Sequence, residues 1–355
     1  MELPLIYVQL VLLWQFGAVN SAALSCKDAA GANIAWGVFY VVPGTQTAHA
    51  IYAAAAPGWE ANPIDLKTAG GVLDGLFAPF VAAKATYNVL AYSNFPPYYR
   101  EGSKCGSALR GVLGYTDSDG WWLTHTIDKW PDLQAGAIAP PSAGGAGLIV
   151  CVTLPFASMP TWATTLDYAS PMLYYQQSTN PPAATSIANV PALAALTQPP
   201  VAAIYSPFTR TMMFTPTGNN PAPTRLFTKL PRASIEIHSN YMAQILKQNL
   251  IVWSKAPSGE SLLRSSCTGA YQVENVKGSS ITVNNQVITR QQDTASWAVS
   301  KAPGAEAVFC VSGSDRTQSS IGLAGGVVCL QQQQVQQLFS AIATAAGIEA
   351  CPTAG

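Results

Sequence analysis

Apolar and polar positions along the chain follow two rhythms. Residues 36–42, Trp-Gly-Val-Phe-Tyr-Val-Val, are a continuous apolar run that Pro43 and Gly44 end, the pattern of a strand buried on both faces. Residues 148–154, Leu-Ile-Val-Cys-Val-Thr-Leu, repeat it. Between them, 111–115 and 121–125 predict a hairpin turning at Asp117-Ser-Asp-Gly120. That turn lacks the remaining positions of a twelve-residue calcium loop. A second hairpin is predicted over 281–288, turning at Asn284-Asn285. Helical spacing puts Tyr241, Met242, Ile245 and Leu246 on one face, and Val335, Leu338, Phe339 and Ile342 on another, with Gly347 as a stop. The glutamine run 331–337 reads as the exposed face of that second helix. Residues 178–223, rich in Pro, Ala, Thr and Asn, read as irregular loop around short elements. Strands alternating with helices on either side of it predict an α/β fold.

The 355 residues allow one large domain or two modest ones. Apolar residues make up 49%, enough for a large core, and charged residues 10%, well under the roughly 25% of ordinary soluble domains. Lys plus Arg number 18 against 18 Asp plus Glu, so no overall basic field concentrates polyanions and any nucleic-acid role must rest on a local site. Residues 3–19 are apolar and lead into Asn20-Ser-Ala-Ala23, the plan of a secretory signal peptide over 1–23 cleaved after Ser21 or Ala23, with Glu2 where a basic residue is usual. No later run is long and apolar enough to span a bilayer, so the mature chain is expected to be exported without membrane attachment. Its seven cysteines form no CxxC pair and accompany no histidine cluster, which argues against a zinc site. In an oxidising compartment they imply up to three disulfides and one odd thiol, and spacing alone does not pair them.

No P-loop, complete G-x-G-x-x-G, G-x-S-x-G or H-E-x-x-H is present, and no cofactor or metal is implied. Only three histidines occur. His238 shares the face of Tyr241 and Met242 and reads as a core or edge histidine. His49 lies in an Ala-rich stretch and reads as a surface residue. His125 ends an aromatic-rich strand and is followed by Asp128, Lys129 and Trp130, a strand-to-loop position where sites tend to be built.

Several anchors, in order and over almost the whole mature length, resemble the deoxyribonuclease II family. They are Leu24-Ser-Cys26 with Ile34-Ala-Trp36; Gly111-Val-Leu with Trp122-Leu-Thr-His125-Thr-Ile-Asp-Lys-Trp-Pro131; 148–156; and Ser296-Trp-Ala-Val-Ser300 with 310–316 and Gly325-Gly-Val-Val-Cys329. The resemblance implies a phospholipase D-like α/β fold: two pseudo-symmetric halves with mixed sheets facing a central cleft. The halves would span roughly 24–178 and 224–355, joined by the Pro/Ala-rich segment. It also implies disulfides Cys26–Cys151, Cys267–Cys351 and Cys310–Cys329, leaving Cys105 unmatched. Family members are secreted or lysosomal acid endonucleases that need no metal and use one histidine from each half. One imidazole attacks phosphorus and the other protonates the leaving oxygen.

The second motif departs from the family's Asp-His-Ser-Lys-Trp. Here it reads Asp293-Thr294-Ala295-Ser296-Trp297, and Asp315 replaces a family asparagine beside the retained Arg316. Threonine shuttles no proton near pH 5, and serine brings no charge to a phosphate. Losing one of a cooperating pair costs factors of thousands. The expectation is therefore a catalytically impaired family member that acts by binding nucleic acid or extracellular protein partners. DNA would be held through His125, Lys129 and Arg316. Trp121, Trp122, Trp130 and Trp297 are either core residues or stacking surfaces for bases. The alternative is a working acid endonuclease in which His125 is the nucleophile and His238 or Asp315 supplies the proton.

Overall fold

Alternate residues of the central strands are shared out between different cores, and this partition builds the molecule. Trp36, Val38 and Tyr40 point into one large core, whereas Phe39 and Val41 point into a second. Trp297 and Val299 enter the same large core, and Ala298 enters a third. The period of two along a strand is the cause. The large core is common to two eight-stranded sheets, and each sheet backs onto a smaller core of its own.

The computed structural model describes residues 24–100, 107–141, 144–199 and 206–351. The leader expected at 1–23 and Cys105 lie outside the described residues. Across the first sheet the strands are Leu173–Gln177, Asn88–Tyr92, Gly111–Tyr115, Gly120–His125, Gly147–Leu154, Trp36–Val41, Thr47–Tyr52 and Ile64–Asp65, and every neighbouring pair is antiparallel. Across the second they are Thr209–Phe214, Thr224–Lys229, Gly325–Gln331, Val308–Ser312, Trp297–Ser300, Leu250–Trp253, Val273–Val276 and Ile348–Glu349. Only this sheet is mixed, through the parallel pair Leu250–Trp253 and Val273–Val276. Helix Gln333–Ala346 lies in the shared core, its Phe339 touching Tyr40, Trp297 and Phe309 at ring-centroid distances of 6.3, 5.2 and 4.1 Å. Helix Met159–Asp167 also lies there, with Trp162 edge-on to Trp122 and Thr228 Oγ1 donating to the Thr165 carbonyl at 2.9 Å. No helix among the described residues is long and apolar enough to cross a membrane.

Both predicted hairpins form, the second with Asn284 and Asn285 at the positive φ its tight turn requires. The three disulfides are Cys26–Cys151, Cys267–Cys351 and Cys310–Cys329. Three local expectations are corrected. The helix around 241 opens as a π-helical turn, Ile237–Met242, before a short α-helix Ala243–Leu246. Its wider winding shifts the phase, so Met242 and Ala243 are buried while Ile245 is exposed. His49 is not at the surface: it sits on strand Thr47–Tyr52 opposite Tyr40, buried, 3.1 Å from the Asn284 side chain. Within the glutamine run, Gln336 is buried and donates to the Ser300 carbonyl at 2.5 Å.

One buried carboxylate ties the sheets together. Asp293 Oδ2 accepts hydrogen bonds from Tyr40 of the first sheet at 2.5 Å and from Trp253 of the second at 2.7 Å, and Oδ1 accepts from the Ala295 amide at 2.9 Å. Burial pushes this carboxyl up to about 6, against the pull of those donors. Tyr40→Phe keeps the ring and deletes one donor, leaving a buried oxygen short of a partner. It is expected to lower stability by about 1–3 kcal/mol, measured as an earlier urea midpoint at unchanged slope.

Candidate active site

His125 is the last residue of strand Gly120–His125, in the middle of the first sheet. The hairpin register that pairs Gly111 with Thr124 carries on for one residue, so the His125 amide donates to the Arg110 carbonyl at 3.1 Å. Arg110 is therefore the neighbour that register places beside the histidine. Its guanidinium donates to Asn94 Oδ1 at 2.6 Å and to the Thr126 carbonyl at 2.5 Å, and pairs with Asp128 at 2.6 Å.

The imidazole is 1% exposed and lies edge-on to Trp130, with centroids 5.0 Å apart. Nδ1 accepts the Ile127 amide at 3.2 Å. Nε2 is buried and has no hydrogen-bond partner among the described residues. Burial first, and then the Arg110 charge, lower the ring to about 3. The ring is consequently neutral down to strongly acidic pH. With Nδ1 accepting, the remaining proton sits on Nε2.

Thr294 donates its hydroxyl to the Ala146 carbonyl at 2.9 Å, and its amide bonds the same oxygen at 3.0 Å. Gly147 makes this contact feasible. A Cβ there would lie 2.8 Å from both Thr294 Oγ1 and Ile127 Cγ1, so only glycine lets the threonine and the segment after His125 close together. Ser296, at the position of the family's lysine, is buried and donates to the Ser314 carbonyl at 3.0 Å.

Asp315 comes next in that loop. Burial pushes its carboxyl up to about 6, offset by the charges of Arg110 and Lys255 and by a 3.4 Å hydrogen bond from Ser254. Arg110 and Asp315 are brought within electrostatic reach because residues 107–110 lie directly on the second sheet. Ser107 bridges Ala324, and a Cβ on Gly313 would fall 2.1 Å from the Ala108 carbonyl oxygen.

Arg316 is buried, its guanidinium bonded to Asn275 Oδ1 at 2.6 Å and to the Arg264 carbonyl at 3.0 Å, with Glu236 at 3.6 Å. His238 is buried beside Glu236 at 3.0 Å. Burial alone would raise that glutamate, but His238, Arg316 and the Ser239 amide outweigh it and hold the carboxyl well below its usual range. Lys129 is exposed, with Nζ 5.1 Å over the Phe95 ring. Trp121, Trp122, Trp130 and Trp297 are all core residues, so none offers a face to a base. Sequence reading passed over Arg110, which the observed register sets beside His125.

A family model described as Deoxyribonuclease II matches residues 25–348, and the chain belongs to that family. It is 24% identical to deoxyribonuclease-2-alpha of Mus musculus over 93% of this chain and 94% of the relative. It is 23% identical to deoxyribonuclease-2-beta of Homo sapiens, with 94% of each covered. Plancitoxin-1 of Acanthaster planci is 24% identical over 70% of this chain and 67% of its own length.

The buried imidazole has a measurable consequence. Between about pH 6.5 and about 3 the unfolded chain protonates His125 while the folded chain does not, so stability falls as the pH is lowered through that window. Replacing the ring by a neutral acceptor in His125→Asn removes this component. Thermal melts should show the variant losing about 1 kcal/mol less per pH unit than the wild type between pH 6 and 4.

Proposed function

We propose that this chain is a deoxyribonuclease II-family protein that has given up phosphodiester hydrolysis and acts by binding nucleic acid at the retained cleft. The observation that carries the reading is the state of His125. A nucleophilic imidazole presents a lone pair to phosphorus, but here the Nδ1 lone pair is taken by the Ile127 amide and Nε2 holds the proton. Opposite it stands Thr294, whose hydroxyl is spent on a backbone carbonyl. In this arrangement His125 is not poised to attack, and Thr294 is not poised to protonate the leaving oxygen. Arg110 supplies the cation that a phosphate would meet beside the ring. The leader-like residues 1–23 and the three disulfides support a route through an oxidising secretory compartment, to the outside or to a lysosome. The same reading leaves room for extracellular protein partners.

One observation favours a second reading. Asp315, held near 6, would be protonated at pH 5 and could serve as the acid of a working nuclease.

Plasmid nicking by the purified full chain with EDTA, from about pH 4.5 to about 7.5, separates the two. The binding reading expects cleavage at least ~10³-fold slower than that of the mouse relative assayed alongside, and no further loss in His125→Ala. Robust cleavage abolished by both His125→Ala and Asp315→Asn, and fading above about pH 6, would establish the second reading instead.

A further inference from the structure

The tryptophans around the histidine are buried, so any base that stacks on this protein must find other rings. Among the described residues the exposed large hydrophobics are Tyr98, Tyr99, Phe208, Met213, Ile245 and Val287. Four of these are isolated in the chain. Tyr98 and Tyr99 are consecutive, 65% and 52% exposed, and belong to the loop Phe95-Pro-Pro-Tyr-Tyr-Arg100.

That loop is wired to the site. Asn94, at its root, accepts from Arg110, the cation beside His125. The Phe95 carbonyl accepts the Lys129 amide at 2.8 Å, and the Lys129 ammonium lies over the Phe95 ring. The Tyr98 hydroxyl is hydrogen-bonded to Asp132. Tyr98 itself sits at φ +72°, a left-handed conformation that non-glycine residues seldom adopt, and two prolines precede it. The rings are thus held outward by a stiffened, anchored segment, and stacking on them costs little further ordering.

Cations and carboxylates are interleaved around the loop. Arg100, Lys129 and Arg110 are the cations. Asp128 is paired with Arg110, and Asp132 is engaged by Tyr98.

We infer that Tyr98 and Tyr99, flanked by Arg100 and Lys129, form a stacking platform for the unpaired bases of single-stranded nucleic acid on the loop that Asn94 ties to Arg110. This deepens the binding function proposed above and rests on it. Exposed aromatic faces interleaved with cations that track a backbone are the general arrangement for single strands, because every unpaired base offers a face. A duplex keeps its bases stacked on one another and meets the same surface only through its phosphates.

The test is fluorescence anisotropy of the full-length protein at low salt, in EDTA. The probes are a labelled deoxythymidine strand of about twelve nucleotides and a duplex of the same length. The strand should bind more tightly than the duplex. Tyr98→Ala with Tyr99→Ala should weaken strand binding roughly tenfold per ring, on the order of 100-fold together, and leave duplex binding within a few-fold. Tyr98→Trp with Tyr99→Trp should retain strand binding. Strand affinity unchanged in a natively folded double-alanine variant, or a preference for duplex, overturns the platform. If Arg110→Gln abolishes binding while the double-alanine variant does not, the cleft reading stands and the platform alone fails. If the wild type binds neither probe, the nucleic-acid reading itself fails, and protein partners are left as its occupants.

Discussion

The arrangement depends on a carboxylate with nowhere else to go. Asp293 is buried between the sheets and bonded by a tyrosine from one and a tryptophan from the other. A buried carboxylate stripped of its donors is costly, so the two sheets must meet in the register that supplies them. That register fixes where the chain goes next: Thr294 onto Ala146, Ser296 beneath Ser314, and Asp315 toward Arg110. The first residue of the second motif thus has a structural task independent of any reaction. That task accounts for Asp293 and Trp297 being kept while Thr294 and Ser296 depart from the family's histidine and lysine.

The charge around the second motif differs from what the family pattern implies. A lysine and an asparagine would present donors to phosphate oxygens. Ser296 turns its hydroxyl to a carbonyl, and burial pushes the Asp315 carboxyl up to about 6. Arg110 stands between acids from both sheets, paired directly with Asp128 and influenced by Asp315. An incoming phosphate therefore competes with internal partners rather than entering a basic pocket. Lys229, which might have been counted as a further basic group, is buried with its ammonium on the carbonyls of Ile235, Ser320 and Ile321. Lys129 and Arg100 are exposed, and Lys255, whose charge acts on Asp315, is partly so.

Much of this was legible in the chain because strands announce themselves by alternation and turns by their residues. Residues 36–42, 148–154 and both hairpins could be read off directly, and the family resemblance added the cysteine pairs. Contacts made across the large core could not. Nothing local to His49 indicates that Asn284, far away in the chain, will cover it, and nothing near Arg316 indicates Glu236 and Asn275 as its partners. The helix at 237 was misjudged because a 3.6-residue period was assumed where a π turn is wound. Tyr98 and Tyr99 carry no periodicity at all, so only their exposure distinguishes them from the many buried aromatics.

The three disulfides have a consequence for how the molecule comes apart. Cys26–Cys151 closes a span of 125 residues on the first sheet's side, while Cys267–Cys351 and Cys310–Cys329 close spans of 84 and 19 on the second's. None of the three crosses from one sheet to the other. Each lobe is covalently cinched on itself, while the seam between them is held by non-covalent contacts, backbone as well as side chain. Unfolding that separates the lobes leaves two disulfide-closed pieces joined by their peptide tether.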